Sequence, residues 1–182
     1  MDIAVVSDTH IPARASEIPA PFRDRIADAD HTIHAGDFQT AAVRDDVRDL
    51  ANDLTAVHGN VDPADLGLPT VAALEAEDVT FVVAHGSTNP VAAAVSDGDA
   101  RVASLDEWKA AVADTARARS RHWDGERVVG IGGHLHQVVD DVHESVRVLN
   151  PGSVTGADPA TRATMLTVDV EGASVDVTLH EA

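Results

Sequence analysis

The chain has no cysteine in its 182 residues, which excludes a disulfide framework, a thiolate zinc site and a cysteine nucleophile. Any metal ion must be held by histidine, aspartate, asparagine or backbone oxygen. Lysine is nearly missing too: Lys109 is the only one, and 13 bases face 31 acids for a formal charge of -18. The acids are spread along the whole chain rather than gathered in a tail. Such a surface suits high salt, where the screening length falls to about 3 Å at 1 M and self-repulsion fades, so a halophilic protein is expected. The same imbalance argues against duplex nucleic acid and anionic membrane, which need a lysine and arginine footprint. A single-strand nuclease is disfavoured for want of an arginine-rich groove. No apolar run approaches the length of a membrane span, and Met1 to Val6 enters a strand-like segment without a basic flank, so the expected location is the cytoplasm. Repeats and low-complexity linkers are absent, and nothing specifies an oligomer. The length suits one buried core, a single domain over residues 1–182.

What is present in the first third is alternation. Ile3 to Val6, Thr32 to His34 and Leu54 to Val57 are short apolar, β-branched runs. Between them lie helical patterns over Phe22–Ala29 and Gln39–Ala51, with Phe22, Ile26 and Ala29 sharing one face of the first. Alternating strand and helix is the mark of an α/β fold with a parallel sheet. Residues 70–76 and 79–84 read as adjacent strands around Glu77-Asp78. Residues from about 87 to 126 read as an excursion, with a helix from Leu105 to about Arg121 and Trp108 and Trp123 as packing anchors. Arg127 to Ile131 is a further strand. Four more, Val138–Val142, Val146–Leu149, Met165–Val170 and Val175–Leu179, are expected to form a second, mostly antiparallel sheet.

Polar residues recur where these strands stop: Asp8 and His10, Asp37, Asn60, His85, and His134 and His136. In parallel α/β sheets ligands gather at the carboxyl ends of strands. Two divalent ions held a few ångströms apart need hard and borderline ligands from several strand ends, with one carboxylate between them. Asp-x-His at 8 and 10 offers two ligands from one loop. His-x-His at 134 and 136 offers two more, because alternate residues share a direction on an extended segment. Asn60 adds a neutral amide oxygen rather than another anion. Imidazole with oxygen suits manganese, zinc, iron, cobalt or nickel better than calcium.

Ser7-Asp8-Thr9-His10, Gly36-Asp37, Gly59-Asn60-Val61-Asp62, His85-Gly86 and Gly133-His134-Leu135-His136, in that order, resemble the signature of the calcineurin-like metallophosphoesterase superfamily. Its small uncapped prokaryotic phosphodiesterases look most similar. Asp8 to Pro12 and Asn150 to Gly156 are also similar to the retromer subunit that shares that fold. The resemblance implies a four-layer α/β/β/α sandwich of two mixed sheets. It places Asp8, His10, Asp37 and His136 on one ion, and Asp37, Asn60, His85 and His134 on a second, with manganese the expected metal. Asp37, Asn60 and His134 become the expected catalytic residues, serving a hydroxide between the ions that attacks phosphorus in line.

Two departures from the family pattern bear on substrate. Relatives that cleave monoesters carry a histidine after the Gly-Asn pair to protonate the leaving group; this chain has Val61. That favours a small phosphodiester, whose leaving group needs less protonation. Ser87 likewise replaces a histidine common after His85-Gly86. Asp62 has two readings, a carboxylate orienting a ligand histidine or a turn residue before Pro63. His34 reads as a satisfied core histidine, and His58 either as a substrate contact or as a half-exposed strand-end residue. The alternative function is a non-catalytic interaction scaffold with a vestigial metal site.

Overall fold

The computed structural model describes residues 1–95, 101–120 and 127–182. Its first sheet begins with β1 (Asp2–Val6), β2 (His31–His34) and β3 (Leu54–Ala56), parallel neighbours linked through helices α1 (Ala20–Asp28) and α2 (Ala41–Leu50). Thr40 caps α2, its hydroxyl accepting a hydrogen bond from the Val43 N–H at 3.3 Å, which satisfies a donor the helix start would otherwise leave open. The second sheet contains β4 (Val71–Ala76), β5 (Val79–Ala84), β6 (Arg127–Ile131), β7 (Val138–His143) and β8 (Val146–Pro151). Strands β9 (Thr164–Glu171) and β10 (Ser174–Glu181) complete the first. The orders are β10-β9-β1-β2-β3 and β4-β5-β6-β8-β7.

Strand alternation explains why the sheets stack. In β1, Ile3 and Val5 face a core shared with the second sheet, while Ala4 and Val6 face the helix side with Phe22, Ile26 and Val47. In β5, Val79, Phe81 and Val83 enter the shared core, and Val82 packs outward against helix α4 (Leu105–Ser120) through Trp108 and Val112. Each such aliphatic or phenyl side chain, taken wholly out of water, contributes about 1.5–3 kcal/mol. Helices therefore cover both outer faces, giving the expected α/β/β/α sandwich of two mixed sheets. Within the 87–126 stretch, the short helix α3 (Pro90–Val95) and α4 lie on the connection from β5 to its parallel neighbour β6. Trp108 is fully buried there as an anchor; Trp123 lies outside the described residues.

One expectation needs correction. The last four strands do not form a sheet of their own. β7 and β8 join the second sheet, with β8 parallel to β6. β9 returns to pair antiparallel with β1, and β10 pairs with β9. Hairpin periodicity is local and specifies β7–β8 and β9–β10 as pairs, but not the sheet edge each pair docks on. That choice rests on long-range apolar fit, with Leu166, Val168 and Val170 filling the shared core beside Ile3 and Val5.

Candidate metal centre

The carboxyl ends of β1, β2, β3, β5 and β6 open on one rim, and each is followed directly by a loop that carries the expected site residues. The loops interlock through their backbones. Asp8 N–H donates to the Gly36 carbonyl at 3.0 Å, His10 N–H to the Asp37 carbonyl at 3.0 Å, and Gly133 N–H to the His85 carbonyl at 3.0 Å. Close approach demands glycine at two points. A Cβ on Gly59 would sit 2.1 Å from Asp37 Oδ1, and one on Gly133 would sit 1.9 Å from Ser7 Oγ.

The structure brings all seven expected residues together. His10 Nε2 and His136 Nε2 lie 2.9 Å apart, and Asp8 Oδ1 is 3.3 Å from the latter. Asp37 Oδ2 stands between two histidines, 3.5 Å from His10 Nε2 and 3.4 Å from His85 Nε2. Asn60 Oδ1 faces His85 Nε2 at 3.0 Å and His134 Nδ1 at 2.9 Å. Donor atoms of Asp8, His10 and His136 fall within 4.8 Å of one another, as do those of Asp8, Asp37 and His85. Outer ring nitrogens are held by main chain: His85 Nδ1–H donates to the Ala35 carbonyl at 2.7 Å and His136 Nδ1–H to the Ala157 carbonyl at 2.8 Å. Neutral His85 and His136 therefore turn an Nε2 lone pair inward, as a metal ligand must.

Backbone strain marks the same residues. Asp8, His10, Asp37, His134 and His136 all have positive φ, between 50° and 72°, a region that costs a residue with a side chain free energy. The other described non-glycine cases are Gln39, beside the site, and Glu77, Glu144 and Ser145 in hairpin turns. Strain of this kind concentrates where function fixes side-chain direction.

The electrostatics describe a cavity that needs a cation. Asp8 and Asp37 are 0% and 2% exposed, and among the described residues no arginine or lysine pairs with either; histidines are their only ion-pair partners. Burial opposes the Asp8 charge, but the neighbouring rings of His10 and His136 hold its carboxyl well below the usual carboxylate range. Asp37 is also lowered, the His85 ring and the Val61 N–H outweighing its burial. Burial disfavours charge on His85, yet Asp37 and Asp8 push its pKa up to about 9. His136 is raised against its burial by Asp8. His134 is lowered, first by burial and then by the neighbouring His85. Buried carboxylates with only imidazoles around them suit a divalent cation, or a proton in its place.

Sequence reasoning missed some supports and left another between two readings. Asp62 touches no ligand histidine: its Oδ2 accepts from the N–H groups of Asp37 at 2.9 Å and Gly59 at 2.8 Å, and its Oδ1 from Gln39 N–H at 2.8 Å. It joins the loop after β2 to the loop after β3. Gln39 extends that bracing, its amide oxygen accepting from Ala13 N–H at 3.1 Å and its amide nitrogen lying 3.3 Å from His10 Nδ1. Its place two residues after Asp37 was the available signal. Asn150 and Pro151 end β8 beside the site, and the buried stretch through Ser153 runs into a turn closed by Gly156 N–H on the Ser153 carbonyl at 3.2 Å. Asn150 Nδ2 donates to the Gly133 carbonyl at 2.7 Å and Ser153 Oγ to the Asp8 carbonyl at 2.8 Å. His34 is a satisfied core residue, stacked on Phe38, accepting from Gly36 N–H and donating from Nε2 to Thr9 Oγ1 at 2.8 Å. His58 lines a cleft of about 190 Å³ with Asn60, Thr70, His85, Ser87 and Thr88.

Comparison with known proteins agrees with this geometry. The calcineurin-like phosphoesterase superfamily domain matches residues 1–173. The chain belongs to that superfamily. A probable metallophosphoesterase of Methanocaldococcus jannaschii is 33% identical over 157 residues, covering 85% of this chain and 69% of that protein. A probable metallophosphoesterase of Methanothermobacter thermautotrophicus is 29% identical over 177 residues, covering 97% and 90%. Among solved structures, Vps29 of Chaetomium thermophilum superposes with a TM-score of 0.71 at 22% identity, covering 100% of this chain and 97% of that one. Vps29 of Entamoeba histolytica complexed with zinc superposes at 0.69 and 20% identity, covering 100% and 99%. At those identities the solved structures speak to the fold. No helix among the described residues is long and apolar enough to cross a membrane.

Proposed function

We propose that this calcineurin-like phosphoesterase is a metal-dependent phosphodiesterase with a dinuclear centre. Asp8, His10, Asp37 and His136 would hold one ion, and Asp37, Asn60, His85 and His134 the other, with Asp37 common to both sets. The observation that carries the reading is the pair of buried carboxylates, Asp8 and Asp37, whose only ion-pair partners among the described residues are imidazoles. Divalent ions there, manganese being the expected metal, would supply Lewis acidity toward a phosphoryl group and lower the pKa of water. The chain's own residues hold the ligands in fixed directions through Asp62, Gln39, Asn150 and Ser153, so no reorganisation is needed during the reaction.

Diester preference is supported by two features. Val61 offers no proton to a leaving group and uses its N–H on Asp37 Oδ1 at 2.9 Å. Among the described residues the cleft beside Asn60 and His85 is lined by no acid and no permanently charged base, in a chain of net charge -18, which suits the neutral ester substituent of a diester.

The test is turnover of bis(4-nitrophenyl) phosphate at several molar salt with manganese and with chelator, beside the Asp37→Asn variant. Metal-dependent hydrolysis by the parent, and loss of both bound manganese and turnover in the variant, is expected. A folded, manganese-loaded parent without turnover would leave the scaffold reading standing instead. Faster hydrolysis of unactivated monoesters than of diesters would sink the diester preference.

A further inference from the structure

The bases of this chain are mostly occupied by its acids. Arg23, Arg44, Arg117, Arg147, Arg162 and Lys109 each hold a carboxylate. Arg14 does not, although it is exposed on an acidic surface. Its only side-chain partner among the described residues is a neutral carbonyl, that of Asp158, reached from Nη1 at 2.9 Å. Arg25 and Arg127 also hold no carboxylate among the described residues, but they stand at the far end of the sheets: Arg25 lines a cleft with Asp2 and Ile3, and Arg127 opens β6. Arg14 is on the site's rim.

Its position is fixed from two sides. The Arg14 N–H donates to the His10 carbonyl at 2.9 Å, and the preceding N–H, that of Ala13, is held by Gln39. Asp158, which holds the guanidinium, directly follows Ala157, whose carbonyl holds His136 Nδ1. The main chain of Arg14 is thus tied to His10, and its guanidinium to the residue that follows the carbonyl holding His136, the two histidines assigned to one ion. The remaining N–H donors of the guanidinium have no partner among the described residues.

From this placement we propose that Arg14 recognises the substrate's phosphoryl group, donating to a non-bridging oxygen of the phosphate seated at the metal centre. It rests on the phosphoesterase reading and adds a binding residue to it. A planar guanidinium matches a phosphate oxygen in geometry and keeps its charge at any working pH. The tie to Asp158 leaves it pre-positioned, so less rotamer freedom is lost on binding.

The experiment is a calorimetric titration of inorganic phosphate into the full chain loaded with manganese, for the parent, Arg14→Lys and Arg14→Gln, with bound manganese measured in each. Loss of one charge-assisted hydrogen bond should weaken phosphate binding about tenfold in Arg14→Gln, with manganese content unchanged and Arg14→Lys recovering part of the loss. Equal phosphate affinity in parent and Arg14→Gln overturns the assignment, as does a manganese-loaded parent that takes no phosphate. A fall in bound manganese with the substitution would make Arg14 a brace for His136 instead, and also overturns it. Because phosphate binding is read directly, absence of turnover would sink the esterase reading without deciding this one. A parent that takes up no manganese would sink both.

Discussion

Replacing Asp62 separates a structural carboxylate from a mere turn former. The wild-type side chain is 7% exposed and accepts three main-chain N–H groups, from Asp37, Gly59 and Gln39, at 2.8 to 2.9 Å. In Asp62→Ala all three donors lose a charged acceptor in a site with little water access. A hydrogen bond to a charged group contributes about 1.5–3 kcal/mol, and part of each loss is recovered as water enters the gap. The expected cost is therefore about 3 kcal/mol, or about 6–12 °C in Tm for a chain of this length.

Asp62→Asn is the sharper variant. Asparagine serves as well as aspartate in a turn, so a turn role predicts almost no change. A carboxylate role predicts a loss of about 2 kcal/mol, since the amide keeps one acceptor oxygen and presents an NH2 to donors on the other side. Urea unfolding at neutral pH, with chelator present so that metal binding adds nothing, measures both variants. An Asp62→Asn protein within about 0.5 kcal/mol of the parent would refute the bracing role.

A Cβ at Gly59 would land 2.1 Å from Asp37 Oδ1 and 2.3 Å from Asp37 N; Gly59→Ala should destabilise the chain by roughly 2 kcal/mol or more and abolish manganese uptake, read by unfolding and metal analysis. The metal-free chain should be most stable near pH 6.5 in chelator. His85, raised to about 9, contributes stability present below pH 6.5 and lost as pH rises through about 9; buried His34, lowered chiefly by burial, contributes stability present above pH 6.5 and lost as pH falls. Unfolding free energy measured from pH 5 to 9 should therefore fall on both sides, and a flat or steadily rising profile contradicts the cavity's charge balance. A surface with 31 acids and 13 bases should gain stability as potassium chloride rises from 0.1 to 3 M, and a falling unfolding midpoint would count against a halophilic surface.

How much of this was legible in the sequence depended on range. Ile3 to Val6 and Arg127 to Ile131 read correctly because alternation and length are local properties, and both runs end where the chemistry begins. The strand-end pattern also picked out residues that the fold brings together, since carboxyl ends of parallel strands share one rim. Supports that act through backbone carried no comparable signal. Asp62 before Pro63 looks like any turn, and its three donors come from positions up to 25 residues away. Ser153 reaches the Asp8 carbonyl across 145 residues of chain. The docking of β9 on β1 was hidden for the same reason: nothing within Met165–Val170 names its partner strand.

The strained loops and the buried carboxylates paired only with histidines have a common explanation. Left-handed backbone at Asp8, His10, Asp37, His134 and His136 turns these side chains toward one cavity, and two carboxylates without an arginine make that cavity intolerant of staying uncompensated. In the metal-free chain the histidines supply the compensation, which is why His85 and His136 hold protons more tightly than usual. The loops keep that shape through ties that do not depend on the occupant: Asp62, Gln39, Asn150 and Ser153 bind main chain, and Ala35 and Ala157 hold the outer nitrogens of the rings. Exchange of proton for metal can then proceed without refolding the rim. It follows that metal affinity should rise with pH as the proton's competition weakens, and that variants of the ties should lower affinity through geometry even where every ligand is retained.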